Sequence, residues 1–198
     1  MMKMADRLFL SYRLLGYNEN NMARHFEKML RTFPLSKLSD APRTLRVYAV
    51  SYVEPALYEE SFDADVSLDT IMPVIKEYQA MDCAAIFESE WDLWQHNPEW
   101  QVAPAKVELQ CFGPTFESDT DDHLRIDFGP DSYFIPDPAV PDSVFMAQSN
   151  IRSLLTLVER LDAELHVERR LLWTESGENF ADRLAAVVKG EQPGPRPV

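Results

Sequence analysis

The chain has 198 residues, 45% of them hydrophobic and 11% aromatic, and a formal net charge of −14. That length and composition suit one packed domain whose core needs no disulfide or metal, and they exclude disorder as the state of the whole chain. The acidic balance argues against binding nucleic acid through its phosphates and against adsorption to anionic membranes, since both need Lys and Arg.

The charge is unevenly placed. Glu54 to Asp131 holds nineteen acidic residues against three basic ones, Lys76, Lys106 and Arg125, whereas the first forty-six residues carry nine Lys/Arg and four Asp/Glu. Trp91, Trp94 and Trp100 fall in the same acidic segment. A segment of this kind fits a basic protein partner, a small ligand or a second copy of the chain. The apolar stretch near Met1 is too short for a signal-peptide core, and no window approaches the ~20 apolar residues of a membrane span, so the expected compartment is the cytoplasm. Cys83 and Cys111 each sit in an apolar run and read as reduced, buried thiols.

In chain order, Arg7 to Leu15 alternates as a strand, with Leu8, Leu10, Tyr12 and Leu14 on one face. Gly16 and the Asn-rich stretch Asn18–Asn21 end it and start a helix. Met22, Phe26, Met29, Leu30 and Phe33 give that helix a single apolar stripe. Its Arg24, Lys28 and Arg31 form a basic stripe that reads as a solvated face. Thr44 to Val53 is β-branched and aromatic, a strand. Glu54 to Ser67 reads as a long acidic connection, either a functional loop or a strand in disguise. Leu68 to Met81 follows as a helix with Pro73 in its first turns.

Cys83–Trp94, Lys106–Phe112, His123–Phe128 and Tyr133–Ile135 read as four consecutive strands, the last two joined by a hairpin turn at Gly129–Ser132. After the proline-rich spacer Pro136–Pro141 comes the longest helix, Ser143 to Glu164. Leu165–Trp173 alternates as a strand, with an extension of the helix as the alternative, Asn179–Lys189 reads as a short helix and Gly190–Val198 as a flexible tail. The predicted fold is a single α+β domain over residues 1–189. It has an antiparallel or mixed sheet of about five to seven strands with helices mainly on one face, compatible with a ferredoxin-like core carrying extensions.

The candidate site lies in Glu88-Ser89-Glu90-Trp91-Asp92-Leu93-Trp94. On a strand, Glu88, Glu90, Asp92 and Trp94 share one face, and Phe87, Ser89, Trp91 and Leu93 share the other, which reads as core. The first face predicts a ligand- or partner-binding surface in which carboxylates attract a cation and Trp94, with Trp100 nearby, offers a ring to pack on. The same face also fits a solvated sheet surface whose carboxylates pair with Arg7, Arg13, Arg46 or Arg125. A glycosidase would want two such carboxylates beside aromatic platforms, but any acidic strand meets that test.

Other chemistry finds little footing. Asp119, Asp121, Asp122, His123 and Asp127 form the densest oxygen cluster, yet a calcium loop counted from Asp119 would have Leu124 at position six and Pro130 at twelve. His25, His96, His123 and His166 show no metal spacing, and neither a nucleophile elbow nor a phosphate-cradling glycine loop occurs. The sequence therefore predicts no catalytic residue, metal or cofactor. Its first functional expectation is a non-enzymatic, inhibitor- or immunity-like cytosolic protein that covers a basic protein, or itself, with Glu88, Glu90, Asp92, Trp94 and Trp100. The alternative is a small-ligand binder or hydrolase with a Trp- and carboxylate-lined pocket.

Overall fold

The structure is a computed structural model and describes residues 6–176 and 180–189. The stretch 190–198, expected as a flexible tail, lies outside the described residues. Among these residues the elements run β1 (Arg7–Leu14), α1 (Met22–Thr32), β2 (Arg43–Ala49), β3 (Tyr58–Phe62), α2 (Leu68–Glu77), β4 (Cys83–His96) and β5 (Trp100–Phe112), then β6 (Leu124–Pro130), a 3-10 turn (Asp131–Tyr133), α3 (Ser143–Glu164), β7 (Val167–Thr174) and α4 (Phe180–Val188). The strands form one sheet in the order β3-β2-β4-β5-β6-β1-β7, and every neighbouring pair is antiparallel. This is the α+β architecture that the sequence predicts, at the upper end of the expected strand number.

Alternation explains why one face is covered. Leu8, Leu10, Tyr12 and Leu14 of β1 are buried with Phe87, Trp91 and Leu93 of β4 and with Val107, Leu109 and Cys111 of β5. Against them pack Met22, Phe26, Met29 and Leu30 of α1 and Ile151, Leu154, Leu157 and Leu161 of α3. Each set has the period of its element, two for strands and three to four for helices. Trp91 lies in this core between Phe33 and Phe128, with ring centroids 5.6 and 5.7 Å away.

Four local expectations change. First, the acidic connection Glu54–Ser67 contains β3, an edge strand whose Glu59, Glu60 and Ser61 are exposed, so no apolar alternation announced it. Second, β2 stops at Ala49 because Val50 turns out of the ladder at φ +66°. Third, β5 starts at Trp100, well before Lys106. β6 pairs only with Glu108–Cys111, so the outer half of β5 is an edge that tolerates Pro104. Fourth, Tyr133–Ile135 is not a strand, and no hairpin forms at Gly129–Ser132. β6 runs on through Gly129 to Pro130, and the Asp131 N–H donates to the Asp6 carbonyl at 2.7 Å. The 3-10 turn then drops Phe134, fully buried, beside Phe128.

Asn150 of α3 clasps the sheet. Its Nδ2 donates to the carbonyls of Trp94 (2.9 Å) and Tyr133 (2.8 Å), and its Oδ1 accepts from the Trp94 N–H (2.9 Å). The side chain is buried, so removing it strands three backbone groups with little access to water. Asn150→Ala is expected to lower unfolding stability by about 2–4 kcal/mol in urea titrations, and a loss under about 1 kcal/mol would contradict the clasp.

Candidate functional site

The face of the sheet away from the helices carries the charge. Register places Glu88 of β4 opposite Glu108 of β5, and Glu108 opposite Asp127 of β6. Three carboxylates thus stand in one row across three adjacent strands. Like charges at facing positions repel, so each needs an answer. Arg46 of β2 forms an ion pair with Glu88, and Arg7 of β1 reaches Asp127 through its Nε at 2.9 Å. Asp127 also accepts the Gly129 N–H at 2.8 Å.

Glu108, in the middle, has no ion pair among the described residues. Its Oε2 accepts one hydrogen bond, from Gln110 Nε2 at 2.9 Å. Burial, and then the charge of Asp127, push its carboxyl above the usual carboxylate range, against the opposing pull of Gln110 and Arg7. One step along the strands, Lys106 faces Glu90 in register, and it too has no ion pair among the described residues.

Above this row lies a cavity of about 740 Å³. Glu88, Glu90, Lys106 and Glu108 line it from the sheet, the segment 36–43 forms one side, and Arg7 with the chain around Gly129 and Pro130 forms the other. A second depression of about 290 Å³ shares Glu88 and Glu108 and continues over Arg46, Gln110 and Arg125 to Tyr48 and Tyr52. Gln110 is buried, and its Oε1 has no hydrogen-bond partner among the described residues. The guanidinium of Arg125 is held by Asp122 at 2.9 Å and lies 5.1 to 5.9 Å from the rings of Phe9, Phe112 and Trp173.

The residues expected to form one surface are divided. Glu88 and Glu90 line the larger cavity; Asp92, Trp94 and Trp100 do not. Glu90 accepts from the Ser39 hydroxyl, and Asp92 accepts from the Ser36 hydroxyl and from the Lys37 N–H at 2.9 Å. These bonds hold the segment after α1 along the free edge of β4, where Ser36 N–H also donates to the Glu90 carbonyl at 2.7 Å. Trp100 donates its Nε1–H to the Pro141 carbonyl at 2.7 Å and packs on His96, at the far end of the β4–β5 ribbon. Trp91 is buried in the core, off the face that carries Trp94.

Sequence reasoning named Arg7 only as a possible partner of the face carboxylates and missed Lys106, Glu108 and Gln110. A signal was present: in Lys106–Phe112 the polar residues Lys106, Glu108 and Gln110 alternate with Val107, Leu109 and Cys111, which assigns them to the open face.

Elsewhere the candidate groups are engaged. Of the oxygen cluster, Asp121, Asp122 and Asp127 pair with Arg13, Arg125 and Arg7, and among the described residues no group of three or more His, Cys, Asp or Glu is placed to hold a metal. His123 Nδ1 accepts from the Leu14 N–H at 2.9 Å, its ring stacks on Tyr17, and burial lowers its pKa. Burial pushes the Cys111 thiol up to about 12, which removes it as a thiolate nucleophile near neutral pH. Lys28 donates to the Glu164 carbonyl, and Arg31 pairs with Glu27 and Asp69, so the basic stripe of α1 ties it to its neighbours. Among the described residues no helix is long and apolar enough to cross a membrane. No protein-family model matches the chain, and no curated protein or solved structure is significantly similar to it.

The carboxylate row makes a specific demand on Arg46. Replacing it by Gln leaves Glu88 facing Glu108 without its cation, and is expected to cost about 1 kcal/mol of stability, the scale of a partly exposed pair. Adding Glu88→Gln removes the repulsion and restores most of the loss. A double-mutant cycle in urea checks this, and additive effects would contradict the coupling.

Proposed function

We propose that the chain binds a small polar molecule in the open-face cavity, one that carries an anionic group and a hydrogen-bond-donating or ammonium group. The observation that carries this reading is a mismatch between two neighbours on β5. Among the described residues neither Lys106, which Glu90 faces across the strands, nor Glu108 is in an ion pair, and both line the same cavity. The cavity volume of about 740 Å³ falls within the range usual for small-molecule sites, roughly 300–1,000 Å³. A zwitterion of amino-acid type would place its carboxylate at Lys106 and its ammonium at Glu108, with Glu90 close by. Cation binding at Glu108 favours its ionised form, so such a ligand would be taken up more weakly as pH falls through the carboxyl's raised range.

The other expectation, an acidic strand face that covers a basic protein, has less behind it. Glu88, Glu90 and Asp92 are already hydrogen-bonded or ion-paired within the chain, and Trp94 and Trp100 lie away from the cavity. Those carboxylates serve the chain's own segment 36–43 and Arg46 first.

Titration of the full chain with a panel of free amino acids and small dicarboxylic acids, followed by amide NMR shifts, tests the proposal. Binding is expected to shift amides around Glu90, Lys106–Glu108 and Gly129. Lys106→Met and Glu108→Gln should each weaken it about tenfold or more, equivalent to about 1.4 kcal/mol. A panel with no binder at millimolar concentration, or binding indifferent to both substitutions, would overturn it.

A further inference from the structure

At one end of the sheet, where β2 and β5 stop and β3, β4 and β6 begin, three loops are laced together by backbone hydrogen bonds. The Val50 N–H donates to the Asp82 carbonyl at 2.8 Å, the Glu117 N–H to the Val50 carbonyl at 2.7 Å, and the Thr115 N–H to the Met81 carbonyl at 2.8 Å. Leu57 joins them through its N–H to the Val47 carbonyl at 2.8 Å. This end shows apolar side chains to water: Val53 is 93% exposed, and Val50, Leu57 and Met81 are each about half exposed. Tyr52 is partly exposed as well, its ring packed edge-on against Tyr48 and Phe116.

Two further observations set this patch apart from scattered surface apolar residues. The loops 50–57, 78–82 and 113–119 contain no Lys or Arg, but they contain Glu54, Asp82, Glu117 and Asp119. None of these four carboxylates is in an ion pair among the described residues. The patch therefore has an apolar centre and an acidic, uncompensated rim. In addition, Val50 holds φ +66°, a conformation that crowds a β-branched side chain and that proteins keep mainly where the surroundings or a function require it. The lacing to Asp82 and Glu117 holds it there and turns Val50 outward.

We infer that this loop end is a docking surface for another protein, and that its occupant is a short amphipathic segment with an apolar face flanked by Lys or Arg. The apolar centre would supply the burial, and the unpaired carboxylates select the sign of the partner's rim. Nucleic acid and anionic membranes carry the wrong charge for it. No residue of the three loops lines the Lys106–Glu108 cavity, and only Tyr52 touches the depression beside it, so the two proposals are tested on different residues.

The test uses the full chain with isotope-labelled amides and three synthetic peptides of about fourteen residues, a length typical of a helix laid in a groove. One is an amphipathic Leu/Lys peptide, one a Ser/Lys peptide of equal charge, and one a Leu/Glu peptide of equal amphipathicity. The Leu/Lys peptide should shift amides within 50–57, 81–82 and 115–117. Its affinity should fall about tenfold or more in Val53→Ser/Leu57→Ser and again when salt rises from about 0.05 to 0.5 M. Unchanged amide positions elsewhere will show that the variant is folded. The Ser/Lys and Leu/Glu peptides should bind at least about tenfold more weakly. Shifts spread over other surfaces, equal binding of the Ser/Lys peptide, indifference to the double substitution, or no binding would each overturn the inference.

Discussion

Placing Glu88, Glu108 and Asp127 opposite one another on adjacent strands sets three like charges in a row that solvent reaches from one side only, and the electrostatics of the open face follow from how each is answered. The outer two are answered from outside the row, by Arg46 on β2 and by Arg7 on β1. The central one has no such recourse, because both strands beside it already contribute carboxylates. Glu108 therefore rests on a single hydrogen bond from Gln110 and on a carboxyl that burial and Asp127 bias towards its protonated form. A group left in that condition beside Lys106, which has no ion pair among the described residues, is what makes the cavity chemically distinct.

The row is possible only because the core is one-sided. α1 and α3 pack on the face that carries Leu10, Phe87 and Leu109, so the opposite positions of β4, β5 and β6 are free to be polar. That opposite face is not uniformly open. Towards β7 it is closed by Phe9 stacked on Trp173, with Arg125 lying over both rings. Towards the loop end it is closed by a small cluster of Ala84, Phe112 and Phe116 with Tyr48. The segment 36–43, bonded to Glu90 and Asp92, walls the side near the free edge of β4. What remains between these covers is the polar trough, so its limits are set by apolar packing and its chemistry by the carboxylate row.

Much of this was legible in the sequence where periodicity was strong. The alternation from Phe87 to Leu93 assigned Trp91 to the core and Glu88 and Glu90 to the other face, and both assignments hold. Ser143–Glu164 was bounded correctly at both ends. Periodicity failed where an element is mostly exposed, as in β3 with Glu59, Glu60 and Ser61, and where strand order decides the outcome. No property of Glu108 in the sequence reveals that Glu88 and Asp127 will flank it; that depends on β6 joining β5 rather than a later strand. The site face misled at its end for a related reason: alternation put Trp94, with Trp100 nearby, beside Glu88 and Glu90, but neither ring lines the cavity, and the Pro141 carbonyl holds Trp100 at the far end of the ribbon.

The account turns on Glu108 being the member of the row with no ion pair among the described residues, and a carbon-detected NMR titration of the glutamate side-chain carboxyls tests its consequence. Glu108 should titrate clearly above the ordinary glutamate value of about 4.3, and it should move down towards that value when Asp127 is replaced by Asn, which removes the neighbouring charge. A Glu108 that titrates at or below about 4.3, or that ignores the Asp127→Asn substitution, would mean that the row does not shape the open face as described.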